Sequence, residues 1–200
     1  MNNELQFGIQ TNGIKHTHLD PMPDIDHRFS MVKEAKVFDY VDKTPEQDEI
    51  ISFLKAKDKY QIPIKAGGWF YTVGEHKSLL KKNLFTAQNL GSTVHNTQIQ
   101  AINSEGNLVT NLEVRDVYLE AYDMGLKLGV TPCFEVHVNM WSEDFLRVTE
   151  VGNLVEEKGV EFNITLDHSH VIFKINNPKE QKIYNTREKI LAGELILDPF

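Results

Sequence analysis

The 200-residue sequence has one cysteine, no apolar stretch approaching the ~20 residues needed to cross a bilayer, and no block of basic residues. A lone Cys133 excludes an internal disulfide framework and any cysteine-based zinc cluster, which leaves a reducing compartment as the simplest setting. It lies in an apolar run and is assigned to the core. The N-terminus, Met1-Asn2-Asn3-Glu4, lacks the charged-then-apolar pattern of a signal peptide, so the expected location is cytoplasmic, with no membrane partner. The formal net charge of -8 repels phosphate backbones, and the basic residues are scattered, so no nucleic-acid partner is expected either. A compact or neutral ligand fits better.

What is present is 40% hydrophobic residues, enough to bury a core without staples, in a chain 25% charged. Short β-rich runs alternate with longer amphipathic segments throughout, which is the sequence mark of parallel βαβ construction. The predicted strands are Leu5 to Asn12, Val37 to Asp42, Ile62 to Gly67, Ser92 to Ile102, Thr131 to Val138 and Glu161 to Asp167. Each is short and apolar, as strands covered on both faces should be. No linker, low-complexity tract or short-period repeat interrupts them, so residues 1–200 read as one continuous domain.

Helix signals lie between the strands. Thr44-Pro45-Glu46-Gln47 has the form of a capping box, followed by apolar Ile50, Ile51 and Leu54. After Asn111, residues Val114, Val117, Ala121, Met124 and Leu128 form one stripe, closed by Gly129. Ser142 opens another helix with Glu143 and Asp144 in its first turn, Phe145, Val148, Val151 and Val155 inward, and Gly159 at its end. A last cap at Asn177-Pro178-Lys179-Glu180 starts a helix toward Gly193, and Leu195-Ile196-Leu197 begins one more strand.

In parallel α/β folds the ligand meets the C-terminal ends of the strands, where the βα loops converge. The fifth and sixth predicted strands carry carboxylates inside apolar runs, Phe134-Glu135-Val136-His137 and Leu166-Asp167-His168-Ser169-His170. A buried carboxylate is costly unless a proton or cation neutralises it. On adjacent strands, roughly 5 Å apart, Glu135 and Asp167 can share one ion at metal–oxygen distances of about 2.0–2.2 Å. Carboxylate with imidazole suits Mn²⁺, Co²⁺, Zn²⁺ or Mg²⁺ without choosing among them. Against this stand plainer readings: Glu135 tied to an Arg or Lys, Asp167 as a turn or cap acid, and His137, His168 and His95 as core or surface histidines. His16 and His18 form a His-x-His beside the loop Asp20-Pro21-Met22-Pro23 and are read as pocket-rim or solvent residues. Gly67-Gly68 lacks the frame of a phosphate cradle and is expected to let Trp69 and Phe70 approach the pocket floor. Trp69 and Trp141 can stack on a sugar face or fill core.

The pair Phe-Glu-Val-His and Leu-Asp-His-Ser-His resembles the xylose-isomerase-like TIM-barrel superfamily of sugar and sugar phosphate isomerases and epimerases, the second run matching its Asp-x-x-His element. The resemblance spans nearly the whole chain through short motifs. It implies an α/β (β/α) barrel of which about six of eight βα units are present. It implies metal ligation by Glu135 and Asp167, proton transfer next to a carbonyl by Glu135, and contact of His170 and His137 with a sugar or sugar-like substrate. Trp69, within Ala66-Gly67-Gly68-Trp69-Phe70-Tyr71, and His95 sit where such barrels line the sugar pocket. The family completes its metal site from strands seven and eight, which this sequence ends before. A truncated product, a chain completing the barrel, or a scaffold without the chemistry would each account for that, and the unpaired strand edges lead to an expected homo-oligomer. The reaction class implied is isomerase or epimerase. The alternatives are a lyase on an oxidised glycoside using the same metal, and a non-catalytic truncated barrel serving as a binding or assembly partner.

Overall fold

A computed structural model describes residues 5–16 and 23–173. Its six strands are β1 (Gly8–Gln10), β2 (Tyr40–Asp42), β3 (Ile64–Tyr71), β4 (Val94–Ile99), β5 (Thr131–Val136) and β6 (Ile164–Leu166). They pair in sequence order and all in parallel. A crossover helix follows each of the first five: α1 (Ile25–Ala35), α2 (Ile50–Tyr60), α3 (His76–Leu90), α4 (Asn111–Leu128) and α5 (Phe145–Glu156). The short α6 (His168–Phe173) follows β6. The result is a curled half-barrel with helices outside, the expected incomplete (β/α) barrel. Among the described residues, no helix is long and apolar enough to cross a membrane.

The local signals explain where elements begin. Asp24 opens α1, its carboxylate accepting from His27 N at 2.8 Å. Thr110 and Glu113 form a reciprocal capping box on α4, and Gly129 ends that helix as expected. Two predicted starts move. Thr44 does not cap a helix: it is buried, and α2 begins at Ile50, after a turn in which Glu46 N donates to the Glu49 carboxylate at 3.1 Å. Ser142 sits in a 3-10 turn (Trp141–Glu143), and Asp144 is the cap, accepting from Leu146 N at 3.0 Å. The inward faces follow from those starts. Phe53 and Ala56 carry α2 while Ile51 is exposed, and Phe145, in the first turn of α5, stays exposed while Val148, Val151 and Val155 are buried.

Strands are shorter than predicted at five of the six positions, but β3 runs on through the aromatic stretch to Tyr71. The helix predicted from Asn177 and the strand at Leu195 lie outside the described residues.

Two large clusters and a small third one of Ala101 and Leu108 make the core. The larger packs β3–β5 against α3–α5 around fully buried Trp141, Tyr118, Phe134 and Tyr71. Trp141 is therefore core, edge-on to Phe134 at 5.6 Å. The smaller cluster packs α1 and α2 on β1–β3 through Phe29, Phe53 and Val41. A fully buried guanidinium, Arg147 on α5, donates to Asn111 Oδ1 at 2.8 Å and to the Val109 carbonyl, tying α5 to the connection before α4.

Gly125 marks where α4 meets the start of β5, because a Cβ there would lie 2.2 Å from the Val130 carbonyl oxygen. Glycine-to-alanine in a helix ordinarily stabilises by about 1 kcal/mol. Here the sign reverses, and Gly125→Ala is expected to destabilise by about 1–3 kcal/mol, read as a lower urea midpoint.

Candidate functional site

At the C-terminal ends of the strands lies a cavity of about 480 Å³. Its walls come from Gln10 on β1, Asp42 on β2, Gly68 and Phe70 on β3, Asn96 and Gln98 on β4, Glu135 on β5, and His137, Asp167 and His170 just beyond the strands. Alternation along each strand selects these residues, since every second side chain faces the barrel interior. Trp69 also lines the cavity, while packing against the larger core cluster.

Glu135 is held from two directions. Gln98 Nε2 donates to its carboxylate, and Ser142 Oγ donates to its backbone carbonyl at 2.6 Å while accepting from His137 N at 3.1 Å. Its hydrogen-bond partner is thus an amide, not the Arg or Lys of the plainer reading. Burial pushes its pKa up and the charge of Asp167 adds to this, only partly offset by the Gln98 hydrogen bond and His137.

Asp167 follows β6 directly. Its Oδ1 accepts from Ser169 N at 2.8 Å, from Ser169 Oγ, and from His170 N at 3.3 Å. It is therefore a cap acid and a cavity acid at once, its other oxygen 3.5 Å from His170 Nε2. Burial would raise its pKa, but the hydrogen bonds from Ser169 and His170 outweigh burial and hold it low. The His137 and His170 rings lie 3.6 Å apart, centroid to centroid, with Phe70 edge-on to His137 at 6.2 Å. His137 Nδ1 lies 2.7 Å from the Val138 carbonyl, which can only accept, so the neutral ring carries its proton there and offers Nε2 as a lone-pair donor.

The structure thus brings together five of the six residues singled out for the site: Glu135, Asp167, His137, His170 and Trp69. His95 is a correction. It sits near the start of β4, not at its tip, and its side chain faces the helices, fully buried. Its Nε2 hydrogen-bonds Tyr71 OH at 2.7 Å, and Asn83 Nδ2 donates to the same hydroxyl at 2.9 Å. Burial drives its pKa down to about 4, so it is a neutral core histidine. Of the other histidines, His168 is exposed, and the His16–His18 pattern falls largely outside the described residues.

Sequence reasoning missed Asp42, which ends β2 on the cavity wall. Burial raises its pKa to about 6, helped by the Glu135 charge and opposed by Lys43. It also missed Gln98, whose Oε1 is buried with no partner among the described residues, and Asn96, which accepts a hydrogen bond from Thr165 Oγ1. The strand-tip rule that selected Glu135 applies equally to Asp42.

Among the described residues, no group of three or more His, Cys, Asp or Glu side chains is placed to hold a metal ion. The donor chemistry nonetheless fits part of a divalent site. Two carboxylates interact unfavourably across one cavity wall, and the His137 tautomer presents a free Nε2 beside them.

No protein-family model and no curated protein matches this sequence. Solved structures do match by fold. The D-allulose 3-epimerase from Methylomonas sp., in complex with D-allulose, superposes with a TM-score of 0.62 at 12% identity, over 85% of this chain and 65% of that one. The IOLI protein with a binding zinc atom gives 0.58 at 12% identity, over 76% and 59%. The 3-keto-D-glucoside 4-epimerase YcjR from E. coli gives 0.61 at 14% identity, over 92% and 76%. The chain therefore has the fold of the xylose-isomerase-like TIM barrels, and spans less than two thirds of the first two structures. At this identity likeness establishes fold and not reaction, since a dehydratase and an AP endonuclease match equally well.

A carboxyl group whose folded pKa is raised binds protons more tightly in the folded state, so its contribution to stability falls as pH rises from the unfolded value through the folded one. For Asp42 that window runs from 3.8 to about 6, and the cost above it is up to about 3 kcal/mol. Asp42→Asn, in chelator-treated protein, is expected to be more stable than the native chain at pH 8, with the gain shrinking toward pH 4, as read from urea unfolding at both pH values.

Proposed function

We propose that this chain carries the site of a divalent-metal-dependent sugar isomerase or epimerase that moves a proton next to a carbonyl. The observation that carries the reading is the placement of Glu135 and Asp167 in one cavity at neighbouring strand tips, where Asp167 raises the proton affinity of Glu135. A cation between them would remove that penalty. Glu135 and Asp167 would hold the ion, of Mn²⁺, Co²⁺, Zn²⁺ or Mg²⁺ type, with His137 Nε2 as an available nitrogen donor. When bound, it supplies Lewis-acid polarisation of the substrate carbonyl.

The chain's own residues supply the rest. Glu135, its carboxylate lining the cavity, takes the proton from the carbon beside the carbonyl. Ser142 and Gln98 fix its backbone and carboxylate, which limits motion between attack and return. His170 and His137 orient hydroxyls. Phe70 and Trp69 contribute apolar wall, and the buried Gln98 Oε1 is an acceptor awaiting a hydroxyl. The substrate class is a sugar or sugar-like polyol with a ketone; D-allulose and a 3-keto-D-glucoside, named for two structures of this fold, both carry one.

The rival reading, a barrel without catalysis that serves as a binding partner, draws on the lack of a three-ligand cluster among the described residues. Metal content separates the two. After loading with Mn²⁺ and dialysis, the native chain is expected to retain about one ion per chain, and Glu135→Gln and Asp167→Asn are expected to lose it. A native chain that retains none overturns the enzyme reading. With ketoses in D₂O, native protein is expected to exchange the proton beside the carbonyl, and Glu135→Gln to slow this by about 10²–10⁴-fold. Elimination products from an oxidised glycoside in the same screen would replace isomerisation with a lyase reaction.

A further inference from the structure

The outward side of α4 carries a row of leucines. Leu112, Leu119 and Leu126 are spaced by whole heptads, over each of which a helix drifts only about 20°, so the three stand in line. The residues that α4 buries, Val114, Val117, Tyr118 and Ala121, are on its other side. Leu112 is 52% exposed and Leu126 71%, while Leu119 between them packs partly on the larger core cluster. At about 1.5 Å per residue the row is about 21 Å long. A helix whose outer side faced only water would carry polar residues there, whereas an apolar row flanked by charges is the form of a helix–helix seam.

The symmetry of the row says what covers it. Leu119 is the midpoint: Leu112 and Leu126 are equidistant from it in sequence, as are Arg115 and Asp123, and Asp116 and Tyr122. A second copy of α4 laid antiparallel about Leu119 therefore sets leucine against leucine along the whole row. It also brings Arg115 level with Asp123 of the second copy, and the two-fold axis makes that pair twice. A parallel pairing would set Arg115 on Arg115 and Asp123 on Asp123. The groups concerned have capacity to spare. The Asp123 carboxylate has no side-chain partner among the described residues, and Arg115 donates Nε and Nη2 to Asp116 Oδ1 at 2.8 and 2.7 Å, which leaves Nη1 as a donor. Asp116 Oδ2 and the Tyr122 hydroxyl then meet across the same seam.

We propose that α4 is a dimer interface, two copies of this chain pairing antiparallel across Leu119. The inference goes beyond the functional reading and does not rest on it, since none of these six residues lines the cavity at the strand ends. It also differs from the pairing of open strand edges that the sequence led us to expect, because α4 belongs to the outer helical layer. That layer is convex, so α3 and α5 fall away on either side. A contact centred on one helix buries less than the roughly 1,600 Å² of a standard interface, which places the dimer in the micromolar range and not tighter.

Sedimentation equilibrium from micromolar to submillimolar chain tests this, with circular dichroism as the check on folding. The native chain is expected to pass from monomer to dimer over that range. Leu126→Lys, at the most exposed end of the row, is expected to weaken dimerisation by about tenfold or more without loss of folding. Arg115→Asp and Asp123→Arg are each expected to weaken it, and the double exchange to restore it, which association through any other surface would not do. Register is read by cysteine cross-linking under mild oxidation in a Cys133→Ser background: Leu119→Cys is expected to give a covalent dimer and Leu112→Cys none, because antiparallel pairing sets Leu112 against Leu126. A native chain that stays monomeric throughout, a dimer indifferent to Leu126→Lys, or cross-linking through Leu112→Cys equal to that through Leu119→Cys overturns the proposal. Each of these results leaves the metal and proton-transfer reading untouched.

Discussion

The arrangement of the barrel mouth is governed by like charges held in a poorly hydrated space. Asp42, Glu135 and Asp167 enter one cavity from three strands, and among the described residues no Lys or Arg forms a salt bridge with any of them. Each meets that constraint differently. Asp167 spends one oxygen on the start of α6 and stays ionised, Glu135 leans on an amide, and Asp42 gives up part of its charge to a proton. The spread in proton affinity follows from these partners, and it equips one pocket with acids of different strength.

Much of the fold was legible in the sequence because alternation of buried strands and amphipathic helices is a long-range pattern that survives errors at individual boundaries. The strand-tip carboxylates Glu135 and Asp167 were legible for the same reason: a charge inside an apolar run is conspicuous. Asp42 was hidden by its neighbours. Asp39 and Lys43 stand close on either side, so its charge does not interrupt an apolar run as Glu135 does, and the skipped Lys65 that turns it inward leaves no local mark.

His95 shows the complementary failure. Its strand was assigned correctly, but which face of a doubly covered strand looks inward is set by register with neighbours. Pairing of Gly68 with Asn96 puts Asn96 and Gln98 in the barrel and His95 under α3. Ser142 was likewise read as a helix cap from its position before an acidic pair, whereas its hydroxyl spans back to the β5 tip, a tertiary contact with no sequence signature.

The buried Arg147 gives the molecule mechanical asymmetry. By joining α5 to the segment ahead of α4, it welds the fourth and fifth βα units into a block that also contains the larger apolar cluster. The β1 and β2 side rests on a separate, smaller cluster. The Glu135 wall thus stands on the larger, cross-tied block, and the Asp42 wall on the smaller cluster.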